Sequence, residues 1–528
     1  MTSRRVRGFT LVEMLVALVV FGLLSAATVG VLVHAADNRE VVGTRMDRLG
    51  EFQRARALIK ADLGQAAPRR VRRGDGSAAR TAFIGQRPGD APLWGFVRRG
   101  WSNPDGAARA SMQYIEYRIA GRQLERTAHA ALDGARARAA GRADRRRRHR
   151  YRLSLPRPVE RRLARRGRRD SRGDPPDAGR RRPGHDRTAV PAAGRWRVKR
   201  QRGVALLTVL LLVAVMTALV VAMLDDIRFG LRRAGNAQAV AQAQYYALGA
   251  ETLARLQIDR LARRDPTRTT LEGNWNGRPF VFPVGGEGTG EPPGVISARV
   301  SDASNCFNLN SVVEGVPGQW QRRELGVAQY VALLRALEFP PRDATALADA
   351  LVDWIDSDQE RAPTGAEDAE YTLGGDGYRT GATLLAEASG LRAVRGHDAA
   401  AYARIRPHVC ALPEATLSPI NLNTLQDDDA VLLAMLTDGA LAPARARAVI
   451  AARPDAGWHD HVEFWGQPAL AGVTVPNAVL SQVALRTRFF DLHAEVEYDG
   501  AQVVLTALFD HRGTGDTRLA ARRWTPDE

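Results

Sequence analysis

An acidic stretch between Asp353 and Asp376 is the part of this 528-residue chain best suited to chemistry. It reads DWIDSDQERAPTGAEDAEYTLGGD and holds eight carboxylates, which repel one another unless water or a cation neutralises them. Calcium prefers carboxylate and loop carbonyl oxygens, whereas zinc sites are built from cysteine and histidine. The spacing lacks the glycine and the closing glutamate of an EF-hand. The stretch therefore indicates a structural calcium site, with a solvated acidic surface loop as the alternative.

The remaining polar motifs do not favour catalysis. His459 and His461 lack the spacing of a helical metal site, and the glycine cluster at 285–294 is not followed by a helix with Lys-Ser/Thr, so it predicts a hairpin turn rather than a phosphate loop. No pattern pairs a nucleophile with an oriented base. We therefore expect a protein that is not an enzyme.

The net charge of +18 belongs to one segment. Residues 135–202 contain 25 arginines and one lysine against six acidic residues. Phe, Ile, Met, Trp, Lys, Asn and Gln are all absent from Arg136 to Gly194, so this segment cannot bury enough apolar surface to fold. We interpret residues 135–197 as disordered or as GC-rich coding sequence translated out of frame. An arginine-rich arm that binds RNA or DNA is the alternative.

Two apolar segments share one pattern, a basic cluster, a glycine and about 20 apolar residues. Gly8 precedes the first, at 9–33, and Gly203 precedes the second, at 204–224. Each segment is long enough to cross a bilayer as a helix. An ordinary secretory signal is cut after its apolar stretch, whereas here the glycine comes before it. Cleavage at the glycine would leave the membrane helix on the mature protein.

The stretch RGFTLVEMLVALVVFG resembles the class III leader of type IV pilin-like proteins. That resemblance implies cleavage by prepilin peptidase between Gly8 and Phe9, methylation, and a role for Glu13 in neutralising the free amine of a neighbouring subunit. The second segment implies cleavage between Gly203 and Val204. It has Thr208 where the carboxylate is expected, a departure found in the K-type minor pseudopilins of type II secretion systems.

Further motifs carry the K-type resemblance from Arg200 to about Trp524. FNLN, DALVDWIDSD, GAED, YRTGATLLAEASGLRAVRG and INLNT occur in family order, while Gly381 stands where the family often has Asn. The first module resembles a J-type pseudopilin. The K-type resemblance implies calcium binding in the acidic stretch. The ligands carried over by position are Asp353, Asp356, Asp358, Glu367 and Asp368, with Glu360 and Asp376 as further candidates.

Two membrane helices with basic amino ends conflict within one chain. The first helix would deliver the following residues to the periplasm. The basic cluster before Gly203, however, favours a cytoplasmic position for the amino end of the second helix. Our hypothesis is a frameshift near Ala135 that joins a truncated J-type protein to a K-type protein whose own start is Val198. We expect the J-type half-domain, cut off from its later strands, to be unstable.

The predicted fold is α+β, a pilin-like long helix on an antiparallel sheet with a large all-helical insertion. Strand patterns predict a hairpin across Ala120-Gly121 in the first module. In the second module they predict strands FFDLHAEVEYD and AQVVLTALFDH, joined by a turn at Asp499-Gly500. The repeated Asn-Leu-Asn at 306–313 and 419–426 predicts two SAM-like or helix-hairpin-helix-like subdomains in that insertion. The predicted boundaries are leader 1–8, membrane helix 9–33, J-type domain 34–134, arginine-rich segment 135–197, second leader 198–203, membrane helix 204–224, first pilin-like part 225–300, helical subdomains 301–415 and 416–485, and final strands 486–528.

The only two cysteines, Cys306 and Cys410, lie beside the two repeats. Because the periplasm is oxidising, they are expected to form a disulfide, with two buried thiols as the alternative.

The resemblance implies a minor pseudopilin that initiates and caps the periplasmic pseudopilus of a Gram-negative inner membrane, as a single-pass protein. Its expected partners are I-type and J-type minor pseudopilins, the major pseudopilin, prepilin peptidase and the assembly platform. The alternative function is a membrane-anchored nucleic-acid-binding protein of a competence system. Asp427–Asp429 open the helix of the second repeat and would repel phosphate, so binding to nucleic acid is not expected.

Overall fold

The computed structural model describes residues 11–86, 92–120, 123–134, 149–154, 204–286, 293–373, 377–513 and 515–526. Within these ranges, the description leaves out some side chains of the two long helices and the side chains of the short strand at 149–154. The chain divides into two compact units, residues 1–156 together with 239–528, and residues 157–238. Gly8, Phe9, Gly203 and Asp376 lie outside the described residues, as do the side chains of Glu13 and Val204.

A long helix followed by an antiparallel sheet forms the first module. Helix α1 spans Leu11–Leu63. The strand order is β1-β3-β4-β5-β6, with β2 also paired to β3. The predicted hairpin across Ala120 is confirmed, since β4 and β5 pair up to Ala120 opposite Gln123. The strands are β1 (Ala66–Ala67), β2 (Phe83–Gly85), β3 (Trp94–Arg98), β4 (Gln113–Ala120), β5 (Gln123–Ala128) and β6 (His149–Ser154).

The sheet of the first module does not stop near Ala135, as the sequence had led us to expect. Strand β6 comes from the arginine-rich segment and pairs antiparallel with β5 along its whole length, from Gln123 opposite Ser154 to Ala128 opposite His149. The exposed edge of a strand offers unpaired N–H and C=O groups, which any extended segment of sufficient length can satisfy. Composition alone did not predict this pairing.

A buried ion network joins the end of α1 to the sheet. The Asp62 carboxylate is fully buried and accepts hydrogen bonds from the Tyr117 hydroxyl at 2.5 Å and from the Arg126 Nε at 2.6 Å. Arg98 on β3 donates to the same carboxylate at 3.0 Å. Burial and the hydrogen bond to Asp62 raise the pKa of Tyr117, so its hydroxyl stays a donor. The network fixes α1 on three strands.

A second long helix and a second antiparallel sheet form the pilin-like part of the second module. Helix α2 spans Val204–Arg264. The five strands lie in the order β15-β14-β13-β8-β7. Their bounds are β7 (Pro279–Val284), β8 (Gly294–Asp302), β13 (Phe489–Tyr498), β14 (Ala501–Asp510) and β15 (Arg518–Arg523).

Small residues let α2 approach this sheet closely. Ala243, Ala247, Ala250 and Ala254 recur at helical spacing and are buried against apolar residues of the sheet such as Leu492. The predicted turn at Asp499-Gly500 is confirmed, because both residues have positive φ, +46° and +76°, as a two-residue hairpin turn requires. Strand β8 pairs directly with β13, so everything between Asp302 and Phe489 is an insertion into one sheet.

The insertion is mostly helical and has one continuous core. Its helices are α3 (Glu324–Ala336), α4 (Pro341–Ile355), α5 (Asp368–Leu373), α6 (Ala399–Ile405), α7 (Ala430–Leu436), α8 (Pro443–Ala451), α9 (His461–Trp465) and α10 (Asn477–Gln482). It also contains the short strands β9 (Phe307–Asn308), β10 (Val313–Val316), β11 (Gln319–Arg322) and β12 (Val409–Cys410).

One expectation about the insertion needs correction. It is not all helical, since β10 and β11 form a hairpin and β9 pairs in parallel with β12. The two predicted subdomains share one apolar cluster, which includes Tyr330 of α3 and Leu433 of α7. Apolar faces of neighbouring helices merge when they can bury each other, and sequence spacing does not reveal this.

The Asn-Leu-Asn repeat has the same structural role in both copies. Asn308 and Asn421 each accept the N–H of the asparagine two residues later, and all four asparagines are fully buried. The side chain of Asn310 then donates to the carbonyls of Leu385 and Leu412, at 2.9 and 2.8 Å. These amides bind backbone groups of distant segments, so the repeats clamp the insertion together.

Within the described part of the chain, no helix has a stretch both long and apolar enough to span a membrane. The membrane helices at 9–33 and 204–224 stay predictions.

The predicted pairing of the two cysteines is present in the structure. Cys306 and Cys410, which are 104 positions apart in sequence, form a disulfide with their Cα atoms 5.8 Å apart. The bond lies beside the parallel pairing of β9 with β12. It therefore joins the two ends of the first half of the insertion.

Replacing both cysteines, Cys306→Ala with Cys410→Ala, should lower the free energy of unfolding by about 2–5 kcal/mol, because a cross-link over a loop this long restricts the unfolded chain strongly. Chemical denaturation of the oxidised wild type and the variant measures the difference. Reduced wild type should melt like the variant. Two labelled thiols in unreduced, denatured wild type would contradict the bond.

Candidate metal centre

Helix α4 brings the acidic residues to one place. Asp349, Asp353 and Asp356 lie four and three residues apart, on one face at the end of the helix, and all three are buried. The carboxyl end of a helix carries a partial negative charge, so carboxylates there are unfavourably placed and a cation is favourably placed. The helix ends at Ile355 with Asp356 in an extended conformation. The electrostatic potential at this buried end of α4 is therefore strongly negative.

Three carboxylates converge at that end. Asp353, Asp356 and Glu367 are only 2%, 5% and 4% exposed. One carboxylate oxygen from each lies within 4.8 Å of the other two. A bound divalent cation is the arrangement that most readily places three carboxylates at such distances without water.

The electrostatics of the three groups agree with this geometry. Burial, followed by repulsion from Asp358 and Asp353, raises the pKa of Asp356 to about 8. Burial and repulsion from Asp356 and Asp353 raise the pKa of Glu367 to about 8. Burial raises the pKa of Asp353 to about 6. Charged together without a counter-ion, these groups would destabilise the fold.

Two oxygens in this centre have no hydrogen-bond partner. They are Oδ1 of Asp356 and Oε1 of Glu367, both buried. By contrast, Asp349 is satisfied by Arg322 at 2.9 Å and by the Thr364 hydroxyl at 2.6 Å. An unpaired buried carboxylate oxygen costs free energy that a cation would recover. The donor set, three carboxylates, fits a hard divalent cation.

The loop after α4 wraps around the Asp353 carboxylate. The Ala362 N–H lies 3.2 Å from each of its oxygens. Gly365 lies so close that a Cβ at this position would collide with the carboxylate. A glycine is therefore required here for close approach of the loop.

The five predicted ligands have different placements. Asp353, Asp356 and Glu367 come together. Asp358 is exposed and accepts the Glu360 N–H at 2.8 Å, although its charge acts on Asp353 and Asp356. Glu360 is exposed as well.

Asp368 is not part of this centre, contrary to the prediction. Its carboxylate accepts hydrogen bonds from Arg72 at 2.7 Å, from Arg379 at 2.5 Å and from the Thr380 N–H at 3.0 Å. Burial alone would raise the pKa of Asp368, but these hydrogen bonds, led by that of Arg379, hold it below its ordinary value. Neighbouring residues can point their side chains in different directions. Here the hydrogen bond from Arg72 of the first module holds the Asp368 side chain away from the centre.

Sequence analysis missed the contact between the first and second modules. Arg72 of the first module binds Asp368 and the Thr380 hydroxyl, and Gly134 forms a β-bridge with Tyr378. The only signal was a basic run, PRRVRR at 68–73, that complements the acidic stretch.

Further contacts extend this inter-module contact. Arg99 of the first module lies 3.4 Å from the Glu387 carboxylate, and Arg523 of the second lies 3.6 Å from the same oxygen. The Ser111 N–H donates to the Ser389 hydroxyl at 3.1 Å. Between the modules lies a cavity of about 300 Å³ lined by residues of both, including Trp101, Met112, Leu132, Trp354, Tyr378 and Leu385.

Family models match several parts of the chain. Two described as "Type II secretion system (T2SS), protein K" match residues 305–414 and 420–486. One described as "Type II secretion system (T2SS), protein J" matches residues 30–147, and the "Prokaryotic N-terminal methylation motif" matches residues 3–29. The methylation motif covers the first of the two predicted leaders.

Individual relatives show the same division. Type II secretion system protein K of Klebsiella pneumoniae is 39% identical over 271 residues, 51% of this chain and 81% of that protein. Protein K of Aeromonas hydrophila is 34% identical over 333 residues, 62% of this chain and 97% of that protein. Protein J of Klebsiella pneumoniae is 38% identical over 126 residues, 23% of this chain and 62% of that protein.

A solved structure, the GspK-GspI-GspJ complex from enterotoxigenic Escherichia coli, contains a chain similar to this one, with 28% identity and a TM-score of 0.48 over 56% of this chain and 99% of that chain. From the extent and identity of the protein K matches, this chain belongs to the type II secretion system protein K family of minor pseudopilins, and a region similar to protein J precedes its K-type part.

Proposed function

We propose that the K-type part works at the tip of the periplasmic pseudopilus, where it starts and caps the filament as a structural subunit and not as an enzyme. The observation that carries this is the insertion of the whole segment between Asp302 and Phe489 into one pilin-like sheet. In a helical filament, stacked subunits occupy the space above each sheet, and the insertion would fill that space. A subunit at the tip has no subunit stacked above it, so the insertion would cause no clash there.

The fifth residue after the second predicted cleavage site also supports a position at the tip of the pseudopilus. A carboxylate within hydrocarbon is costly and needs a partner such as a subunit amine. The second leader has Thr208 there, and a subunit with none before it has no such amine to neutralise. We propose an inner-membrane anchor at 204–224, a periplasmic domain, and maturation by prepilin peptidase between Gly203 and Val204.

The contact between the modules supports a J-type pseudopilin as partner. It combines a salt bridge of low exposure, Arg72 with Asp368, with an apolar cavity and a backbone bridge. Interfaces of specific complexes share this mixture of anchored charge and apolar packing. The I-type pseudopilin, the major pseudopilin and the assembly platform complete the proposed set of partners.

We further propose that Asp353, Asp356 and Glu367 hold a structural calcium ion, with Asp358 close enough to contribute to the field. The support is the pair of buried oxygens without hydrogen-bond partners and the position of the carboxylates at the end of α4. When bound, calcium would neutralise the three charges and fix the loop that follows the helix.

Mass spectrometry of the chain expressed in cells with prepilin peptidase tests the function. A product that begins at Val204 is expected, because the peptidase cuts after the glycine that precedes the apolar segment. Gly203→Leu should leave the second site uncut, while Gly8→Leu should block only the first. A Gly203→Leu chain that still yields the Val204 product would refute the proposed maturation, as would a wild-type chain left uncut after Gly203.

Calcium should raise the melting temperature of the full chain by roughly 5 °C, since a ligand at about a hundred times its Kd adds about 2.7 kcal/mol. Asp356→Asn should abolish the increment. In chelator above pH 8, where Asp356 is ionised, the same variant should melt no lower than wild type, because it removes one repelling charge. Glu360→Gln is the matched control on an exposed acid and should keep the full increment. Equal melting of wild type with calcium and with chelator would rule out the site.

The metal-free chain should lose stability as pH rises from about 4 to about 8. The raised pKa values of Asp356 and Glu367 mean that the folded state keeps protons that the unfolded state has released, so the free energy of unfolding falls across this window. Denaturation in chelator at several pH values measures the slope. Saturating calcium should flatten it, and Asp356→Asn should reduce it. Identical slopes for wild type and Asp356→Asn would contradict the assignment.

A further inference from the structure

One short segment takes part in both the acidic centre and the contact with the first module. Glu367 supplies a carboxylate to the centre, and the next residue, Asp368, accepts hydrogen bonds from Arg72 of the first module. Twelve residues later the Thr380 hydroxyl accepts from the same Arg72 at 2.9 Å. The described residues 367–373 and 377–382, which we call the docking segment, therefore connect the two places.

A second connection passes through Trp354, which follows Asp353 in α4. Its carbonyl accepts the N–H groups of Gly381 and Ala382, both at 3.1 Å. Its ring packs edge-on against Tyr371 at 5.1 Å and Tyr378 at 6.0 Å between centroids. Tyr378 forms the β-bridge with Gly134 of the first module. The end of α4 and the docking segment thus form one packed body.

The charge balance of the centre differs with and without a cation. Without a cation, the three buried carboxylates repel one another when ionised, and two of their oxygens have no hydrogen-bond partner. The least constrained relief is an outward movement of Glu367, which lies on the loop rather than on α4. Because Asp368 is the adjacent residue, this movement would displace its carboxylate from Arg72. A bound cation holds Glu367 inward and keeps Asp368 in place.

We propose that cation binding at Asp353, Asp356 and Glu367 and docking of the J-like module through Arg72 are cooperative, so that each strengthens the other. This inference rests on the proposed calcium site and adds its regulation. Linkage requires the coupling to be reciprocal, and such couplings are commonly about 5- to 150-fold in affinity. A subunit without calcium would then dock its J-type partner weakly, and assembly would follow periplasmic calcium.

Calorimetric titration of the full chain with calcium, after removal of metal by chelator, tests the coupling. Arg72→Ala deletes the partner of Asp368 and should weaken calcium binding by about fivefold or more. Arg70→Ala is the matched control, an exposed arginine of the same basic run, and should bind calcium as wild type does. Equal calcium affinity in wild type and Arg72→Ala overturns the coupling and leaves the calcium site standing. No binding heat in wild type overturns the site itself.

Hydrogen exchange gives a second measurement that does not depend on how well Arg72→Ala folds. Calcium added to the wild-type chain should slow amide exchange at 68–79 and 123–134, although these residues belong to the module without ligands. Asp356→Asn should show no such slowing. Calcium-induced protection confined to 353–382 would overturn the coupling, and protection in both modules would support it.

Discussion

A carboxylate buried away from water must be matched by a cation or by hydrogen-bond donors, and this chain meets that requirement at several junctions between its described elements. Asp62 fastens α1 to its sheet through Arg126 and Tyr117. Glu251 of α2 accepts two hydrogen bonds from Arg522 of β15, at 2.5 and 2.8 Å. Because breaking one partner of such a pair leaves an uncompensated charge, these pairs determine the arrangement of the elements more than they add stability.

The junction of the insertion with its parent sheet follows the same principle. Arg488, just before β13, donates to Glu414 in the insertion at 2.6 Å and to Asp510 at the end of β14 at 3.0 Å. Burial alone would raise the pKa of Glu414, but its hydrogen bond with Arg488 holds the value below normal. The insertion is therefore held to the sheet by a charge network in addition to chain connectivity.

The centre at the end of α4 differs from these junctions because, among the described residues, no arginine or lysine forms a salt bridge with Asp353, Asp356 or Glu367. Arg322 nearby is occupied by Asp349 and Glu324. Arg379 and Arg72 are drawn to Asp368 instead. The proposed cation would balance this group of buried charges. The group lies next to the contact with the J-like module, so the proposed cation would influence that contact as well as its own loop.

Much of the pilin-like part could be predicted from sequence because its determinants are local. Alternating apolar residues predicted β13 and β14, and Asp499-Gly500 predicted the turn between them, since positive φ at both positions is a property of the residues themselves. The acidic stretch similarly indicated the region of the centre, and two cysteines in an oxidising compartment indicated their pairing.

Tertiary structure alone decided which acids converge. Glu367 and Asp368 are adjacent and both acidic, yet one enters the centre and the other turns to Arg72, which lies 296 residues away in sequence. The sequence also did not predict that the insertion shares one apolar core or that β6 pairs with β5. Both contacts depend on surfaces that meet only after the chain has folded. Residue types and spacing determine local conformation and the supply of charge. The partner of each charge is determined by long-range packing, which no local pattern encodes.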